Sequence, residues 1–216
     1  MKTFAIVPVK RFGQGKTRLA DALPARSRVA LMQAMVTDVL IALRRSELVD
    51  AVIVVTGEPI AEQIAINYNA EALMDPRDLG HSEAAALGIS VARSRGAERV
   101  ILLPADVPTI DPAEIDGLLT TAPEGREVTI VPDRHGTGTN ALILTPPDAM
   151  EPSFGEGSRA RHAAAAEAAG AAVYEAEPAT IVLDVDTGDD LAALQTRLGD
   201  VRGGASHTRG LLPRIL

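Results

Sequence analysis

The chain has 216 residues, no cysteine, and a net charge of −8 from 21 Lys plus Arg against 29 Asp plus Glu. That length suits one well-buried domain, and the acidic balance argues against nucleic acid or an anionic membrane surface as partner. The missing thiols exclude disulfides, zinc–thiolate sites and cysteine catalysis.

Three Phe, two Tyr and no Trp leave a core of Val, Ile, Leu and Ala, which suits helices packed on a parallel sheet. No apolar stretch reaches the roughly 18 residues of a spanning helix, and the N-terminus lacks a signal-peptide pattern. A cytoplasmic location is therefore expected.

In chain order, Phe4-Ala5-Ile6-Val7-Pro8-Val9 belongs to a first predicted strand (3–8) and breaks into Lys10-Arg11-Phe12-Gly13-Gln14-Gly15-Lys16-Thr17-Arg18. Four of these nine residues are Lys or Arg in an otherwise acidic chain. Glycines let backbone N–H groups approach oxyanions and the cations neutralise them, so a phosphate-bearing ligand is expected here. Gly15-Lys16-Thr17 matches the end of a Walker A motif, but that motif's first glycine would fall on Lys10, which disfavours a P-loop.

A helix over 25–46 follows, with Leu31, Met35, Val39 and Ala42 at three- or four-residue spacing. Next come a strand over 51–56, a helix over 60–67, a weaker strand over 70–74 and a helix over 82–95. Strand–helix–strand alternation implies right-handed crossovers and a mostly parallel sheet. Ligands bind such sheets at the carboxyl ends of their strands.

The strand over 99–104 delivers Asp106 two residues beyond its end. An isolated acid there is most often a cap or turn residue. After a helix over 112–120 and strands over 127–132 and 140–144 come a helix over 158–169 and a weaker strand over 172–175. A strand over 180–184 then ends in Asp184-Val185-Asp186. In extended chain those two acids share a face, and clustered carboxylates repel unless a cation sits among them. Three aspartates at strand ends beside a polyphosphate loop suit Mg2+, a hard ion that shares oxygen ligands with phosphates.

Two further stretches are candidate ligand seats: the hydroxyl- and glycine-rich turn 131–140, and 154–162, where Ser158 is expected to cap a helix. Thr187 followed by Asp190 reads as a capping box for a helix over 188–198. His81, His135, His162 and His207 lack metal-ligand spacing and receive no role. Residues 199–216 are glycine-bearing and aperiodic. They are expected to form a flexible or edge-packing tail on a domain spanning 1–198.

In this order the motifs resemble the CofC/FbiD family of guanylyltransferases of coenzyme F420 biosynthesis, relatives of the MobA-like nucleotidyltransferases. The resemblance rests on Val9-Lys10 with Lys16-Thr17-Arg18-Leu19, Leu103–Pro108, Asp133–Thr139, Phe154-Gly155 with Ser158–His162, and Asp184–Thr187. It implies a single-domain, Rossmann-like three-layer α/β fold with a mostly parallel central sheet. It also implies transfer of a guanylyl group from GTP to the phosphate of a small phosphorylated carboxylic acid, with release of pyrophosphate. By the same resemblance Asp106, Asp184 and Asp186 hold a pair of Mg2+ ions on the acceptor phosphate. Thr139, Gly155 and Ser158 seat the acceptor carboxylate, and Lys10, Lys16 and Arg18 surround the GTP phosphates.

Family acceptors are phosphoenolpyruvate, 2-phospho-L-lactate and 3-phosphoglycerate. The Ala/Arg/Asp-heavy composition resembles actinobacterial members and favours the first. The chain departs from the family where Ser82-Glu83 replaces a Leu-Asn pair, at a place expected to contact guanine or ribose.

The residue types suit the reaction, because nucleotidyl transfer relies on positioning and charge neutralisation, and an acceptor phosphate is already a nucleophile. Two alternatives are a MobA-like transferase for a sugar phosphate or a molybdenum cofactor, and a non-catalytic nucleotide-binding regulator. The first would carry a Gly-Gly pair after the first strand; the second would be expected to have lost the aspartates. The partners expected are small molecules, and a homodimer is allowed.

Overall fold

A computed structural model describes every residue except 14, 15, 76, 79, 201 and 202. The chain runs β1 (Thr3–Val9), a 3-10 turn (Thr17–Leu19), α1 (Ala25–Arg45), β2 (Ala51–Thr56), α2 (Pro59–Asn67), β3 (Glu71–Met74) and α3 (His81–Ser94). It continues with β4 (Arg99–Leu102), α4 (Pro112–Leu119), β5 (Glu127–Pro132), β6 (Thr139–Thr145), α5 (Ser158–Ala168), β7 (Ala172–Glu175), α6 (Gly188–Asp200) and α7 (Ser206–Ile215).

The strands form a single sheet in the order β3-β2-β1-β4-β6-β5-β7. Every pairing is parallel except those of β6, which runs antiparallel to both β4 and β5. All seven residues of β1 are buried, as expected for a central strand covered on both faces. Its side chains alternate: Ala5, Val7 and Val9 join a core with α1, α2, α4, α6 and α7. Phe4 and Ile6 join a second core with α3 and α5. The result is the expected three-layer α/β sandwich.

Gly88 fixes how closely α3 approaches the sheet. A Cβ there would lie 2.5 Å from Ile6 Cγ2 and 3.2 Å from a Val55 methyl. Gly88→Ala is therefore expected to overpack the core and lower stability by about 1–3 kcal/mol, outweighing the helix propensity that alanine adds. Urea unfolding measures this, and an equally or more stable variant would contradict the packing described.

Residues 180–184 differ from expectation. Ile181, Leu183 and Val185 are buried in alternation, as in a strand, yet the segment pairs with none of the sheet's strands. Its polar contacts go elsewhere: the Val185 N–H donates to Asp106 O (3.2 Å), and Ile181 O accepts from the Asn140 amide (2.9 Å). The segment thus crosses the carboxyl edge of the sheet instead of extending it. Hydrophobic alternation alone does not distinguish the two arrangements.

Residues 206–215, expected to lie in a flexible or edge-packing tail, form a helix, α7, packed on α1. Asp38 of α1 accepts from the N–H groups of His207 (3.0 Å) and Thr208 (2.8 Å), satisfying free donors at the start of α7. Thr208 and Leu212 are buried. Among the described residues no helix is long and apolar enough to cross a membrane.

Candidate active site

A cleft of about 810 Å³ opens at the carboxyl edge of the sheet. It has a basic wall from the β1 loop, an acidic floor beyond β4 and β7, and a hydroxyl-lined end between β6 and α5. All nine residues assigned to the site from sequence line it: Lys10, Lys16 and Arg18 on the basic wall, Asp106, Asp184 and Asp186 on the floor, and Thr139, Gly155 and Ser158 at the hydroxyl end. Gly15 of the motif lies outside the described residues.

β1 delivers Lys10 at its end, and the 3-10 turn anchors the loop through fully buried Leu19. Between them Lys16 sits in the left-handed region (φ 56°, ψ 38°), which aims its side chain at the acids. Its ammonium donates to Asp106 Oδ2 and, at 2.5 Å, to Asp186 Oδ1, with only 6% of the side chain exposed. Burial alone would lower the pKa of this lysine. Asp106 and Asp186 more than offset it, and the ammonium is held well above the ordinary lysine range.

Asp184 lies beside this pair without a lysine of its own. Burial first, and the charge of Asp106 second, push its carboxyl up from the usual range, against a hydrogen bond from Asn140 Nδ2 (3.2 Å). The cation among the acids is thus Lys16, and among the described residues no group of three or more His, Cys, Asp or Glu is arranged to hold a metal by itself.

At the hydroxyl end, Ser158 Oγ donates to Thr139 Oγ1 (3.2 Å), and Thr139 Oγ1 meets His162 Nδ1 at 3.0 Å. Ser158 is not the cap of α5. That place is taken by Gly157 at φ 68°, and no side chain caps the helix. Two glycines at positive φ, Gly155 (109°) and Gly157, fold the chain so that Ser158 becomes the first helical residue and turns its hydroxyl inward.

His162 is fully buried, and its Nε2 accepts from the Ser153 N–H (2.9 Å). The acceptor role at Nε2 places the proton on Nδ1, where it faces the Thr139 hydroxyl. Burial, then the nearby Arg161, lowers its pKa to about 4.

His81 begins α3 and also lines the cleft, its ring packed edge-on against Phe154 at 4.5 Å. Burial lowers its pKa to about 4 despite Asp106, with Lys10 and Lys16 adding to the depression. Both rings are neutral at pH 7, and unfolding lets them take up protons between pH 4 and 6.5. The unfolded state binds more protons there, so stability falls as pH drops through that window, by about 1.4 kcal/mol per pH unit for each proton. His162→Gln should flatten this acid slope, as followed by urea unfolding from pH 7 to 4. An unchanged slope would refute the neutral buried ring.

Neither histidine shows ligand spacing in the sequence. Their signal was only a ring at a helix start for His81 and a lone ring inside an alanine-rich helix for His162. Ser82 is engaged too: its hydroxyl accepts from the Phe154 N–H (2.9 Å), tying the start of α3 to the hydroxyl-lined end of the cleft.

The family model described as "Guanylyl transferase CofC like" matches residues 3–211. The chain belongs to this family. A phosphoenolpyruvate guanylyltransferase of Conexibacter woesei is 52% identical over 217 residues, covering 100% of this chain and 97% of that protein. A 2-phospho-L-lactate guanylyltransferase of Methanothermobacter thermautotrophicus is 34% identical, covering 100% and 92%. Among solved structures, a nucleotidyl transferase of Methanothermobacter superposes with a TM-score of 0.66 at 17% identity, covering 93% of this chain and 99% of that one. The CofC-like chain thus has the nucleotidyltransferase fold, with its cleft on the sheet edge where such folds bind ligands.

Proposed function

We propose that this enzyme transfers the guanylyl group of GTP to the phosphate of phosphoenolpyruvate and releases pyrophosphate, a step of coenzyme F420 biosynthesis. The supporting observation is one cleft that joins a lysine–carboxylate cluster to a hydroxyl pocket. Membership of the family and the 52% relative support the same reading.

Lys10, Lys16 and Arg18 bind the triphosphate. Thr139, the Gly155 backbone and Ser158 hold the acceptor carboxylate, which aims its phosphate back toward the aspartates. An acceptor phosphate oxygen attacks the α-phosphorus of GTP, and the bond from that phosphorus to the β-phosphate oxygen breaks in line. Lys16 and Arg18 neutralise the charge gathering on the departing pyrophosphate. No protein base is needed, because the acceptor phosphate is already an ionised nucleophile.

Asp106, Asp184 and Asp186 would hold Mg2+. They fit it: all offer hard oxygens, and Asp106 Oδ1 is buried with no hydrogen-bond partner among the described residues. Such an atom is costly unless an ion or ligand engages it. Bound there, Mg2+ would screen the repulsion between the two phosphates that must meet.

Neutral donors at Thr139 and Ser158 suit a planar carboxylate. A glycerate would bring a further hydroxyl needing a partner, at about 1–3 kcal/mol if left unpaired. GTP as substrate fits a cytoplasmic enzyme with small-molecule partners.

Pyrophosphate release from GTP and Mg2+ with each of the three phospho-acids tests the reading. The highest kcat/KM should be for phosphoenolpyruvate. Preference for 3-phosphoglycerate would overturn the acceptor assignment, as would preference for 2-phospho-L-lactate, and no turnover with any of them would overturn the activity.

A further inference from the structure

The buried carboxylate of Asp190 does more than close a helix cap. Its Oδ2 accepts from the N–H of Asp186 (3.0 Å), the N–H of Thr187 (2.7 Å) and the Thr187 hydroxyl (2.8 Å). Its Oδ1 pairs with the Arg134 guanidinium at 2.6 Å, with 6% of the aspartate and 31% of the arginine side chain exposed. A capping box requires only the contacts on Oδ2. The ion pair reaches instead to another part of the fold.

Arg134 stands in the turn that leads from β5 into β6 and carries Thr139. The same turn is braced by Asp133 Oδ1, which accepts from the Thr137 N–H (3.0 Å), and by Gly136 O, which accepts from Arg159 (3.0 Å). Arg134 Nε also donates to the ring of His135 (3.3 Å), a cleft residue. One guanidinium–carboxylate contact therefore joins the turn that seats the acceptor to the backbone of Asp186. Among the described residues, the only other side-chain bridge between these two parts is Asn140, through Ile181 O and Asp184.

We infer that Arg134 and Asp190 are positioning residues, which set the spacing between the acceptor pocket and the carboxylates. The inference rests on the proposed guanylyl transfer. Its physical basis is that the acceptor is held at one end and reacts at the other. A small rotation of the turn then displaces the attacking oxygen, and a displacement of about 1 Å can cost on the order of 100-fold in rate. Neither residue lines the cleft.

The test compares Arg134→Met, Arg134→Lys and Asp190→Asn in the full-length enzyme, with both substrates varied. Arg134→Met should lower kcat about tenfold and raise the acceptor KM about fivefold, with the GTP KM within about twofold of normal. Asp190 keeps its three hydrogen bonds on Oδ2 and the arginine side of the pair is partly exposed, so the melting temperature should fall by no more than several degrees. Arg134→Lys should recover part of the loss. Combining Arg134→Met with Asp190→Asn should cost no more than the worse single variant, as for two ends of one contact.

Unchanged kinetics in Arg134→Met would overturn the inference. So would an equal loss toward GTP and acceptor that tracks a fall in melting temperature, since that is a purely structural effect. Wild-type enzyme that releases no pyrophosphate would instead overturn the activity itself, and it is measured first for that reason.

Discussion

Asp184→Asn is expected to abolish nearly all turnover while leaving the protein as stable as before, or more so. The carboxyl of Asp184 is pushed up by burial and by Asp106, so its charged form is less favoured folded than unfolded. An acid whose folded pKa is raised detracts from stability at pH values above its unfolded value. Replacing it by the isosteric amide removes that cost, and the amide can be hydrogen-bonded by Asn140 in a flipped geometry. The same change deletes a charged oxygen that Mg2+ and the meeting phosphates would require, a loss of about 100- to 1,000-fold in kcat. Thermal melting and pyrophosphate release, measured on the same preparation, test both halves. Normal turnover would remove Asp184 from the site, and a large fall in melting temperature would show that its charge serves the fold.

Lys16→Met should have two effects of opposite sign. Loss of a charge-assisted contact to the triphosphate costs about 1.5–3 kcal/mol, so GTP use should weaken roughly 10- to 100-fold with the acceptor KM nearly unchanged. Without GTP, however, the variant leaves Asp106 and Asp186 unpaired where the native ammonium bridges them. Mn2+, followed by electron paramagnetic resonance, should then bind the variant more tightly than the wild type. A selective rise in the acceptor KM would exchange the two pocket assignments. Weaker Mn2+ binding would mean that the lysine does not compete for the metal position.

Most of the scaffold was legible because its strands are short β-branched runs separated by long helical periods. Ala51–Thr56 and Glu127–Pro132 coincide with the expected bounds. The functional edge was legible for a related reason: charges that interrupt apolar strands stand out, as Lys16, Asp106 and Asp186 do. What escaped was set by contacts distant in sequence. Ile181–Val185 has the alternation of a strand, but its partners are a backbone carbonyl at Asp106 and an amide at Asn140. Helix α7 has few apolar anchors, and its start is satisfied by Asp38, about 170 residues earlier. His81 and His162 owe their neutral state to burial, which a single sequence does not display.

The reversed direction of β6 has a consequence for how such an enzyme can diverge. Because β6 runs against β4 and β5, the hairpin turn before it lies on the same edge as the loops after β1 and β4. The proposed acceptor pocket is consequently built from one continuous stretch, from the turn at Asp133 to His162 in α5. The β1 loop, proposed to face the triphosphate, belongs to a separate part of the chain. Substitutions confined to that stretch can retune which phospho-acid is accepted without disturbing the nucleotide wall, and a transplant of residues 133–162 between relatives should carry acceptor preference with it. The carboxylates, fixed between the two parts, are what such an exchange has to leave in place.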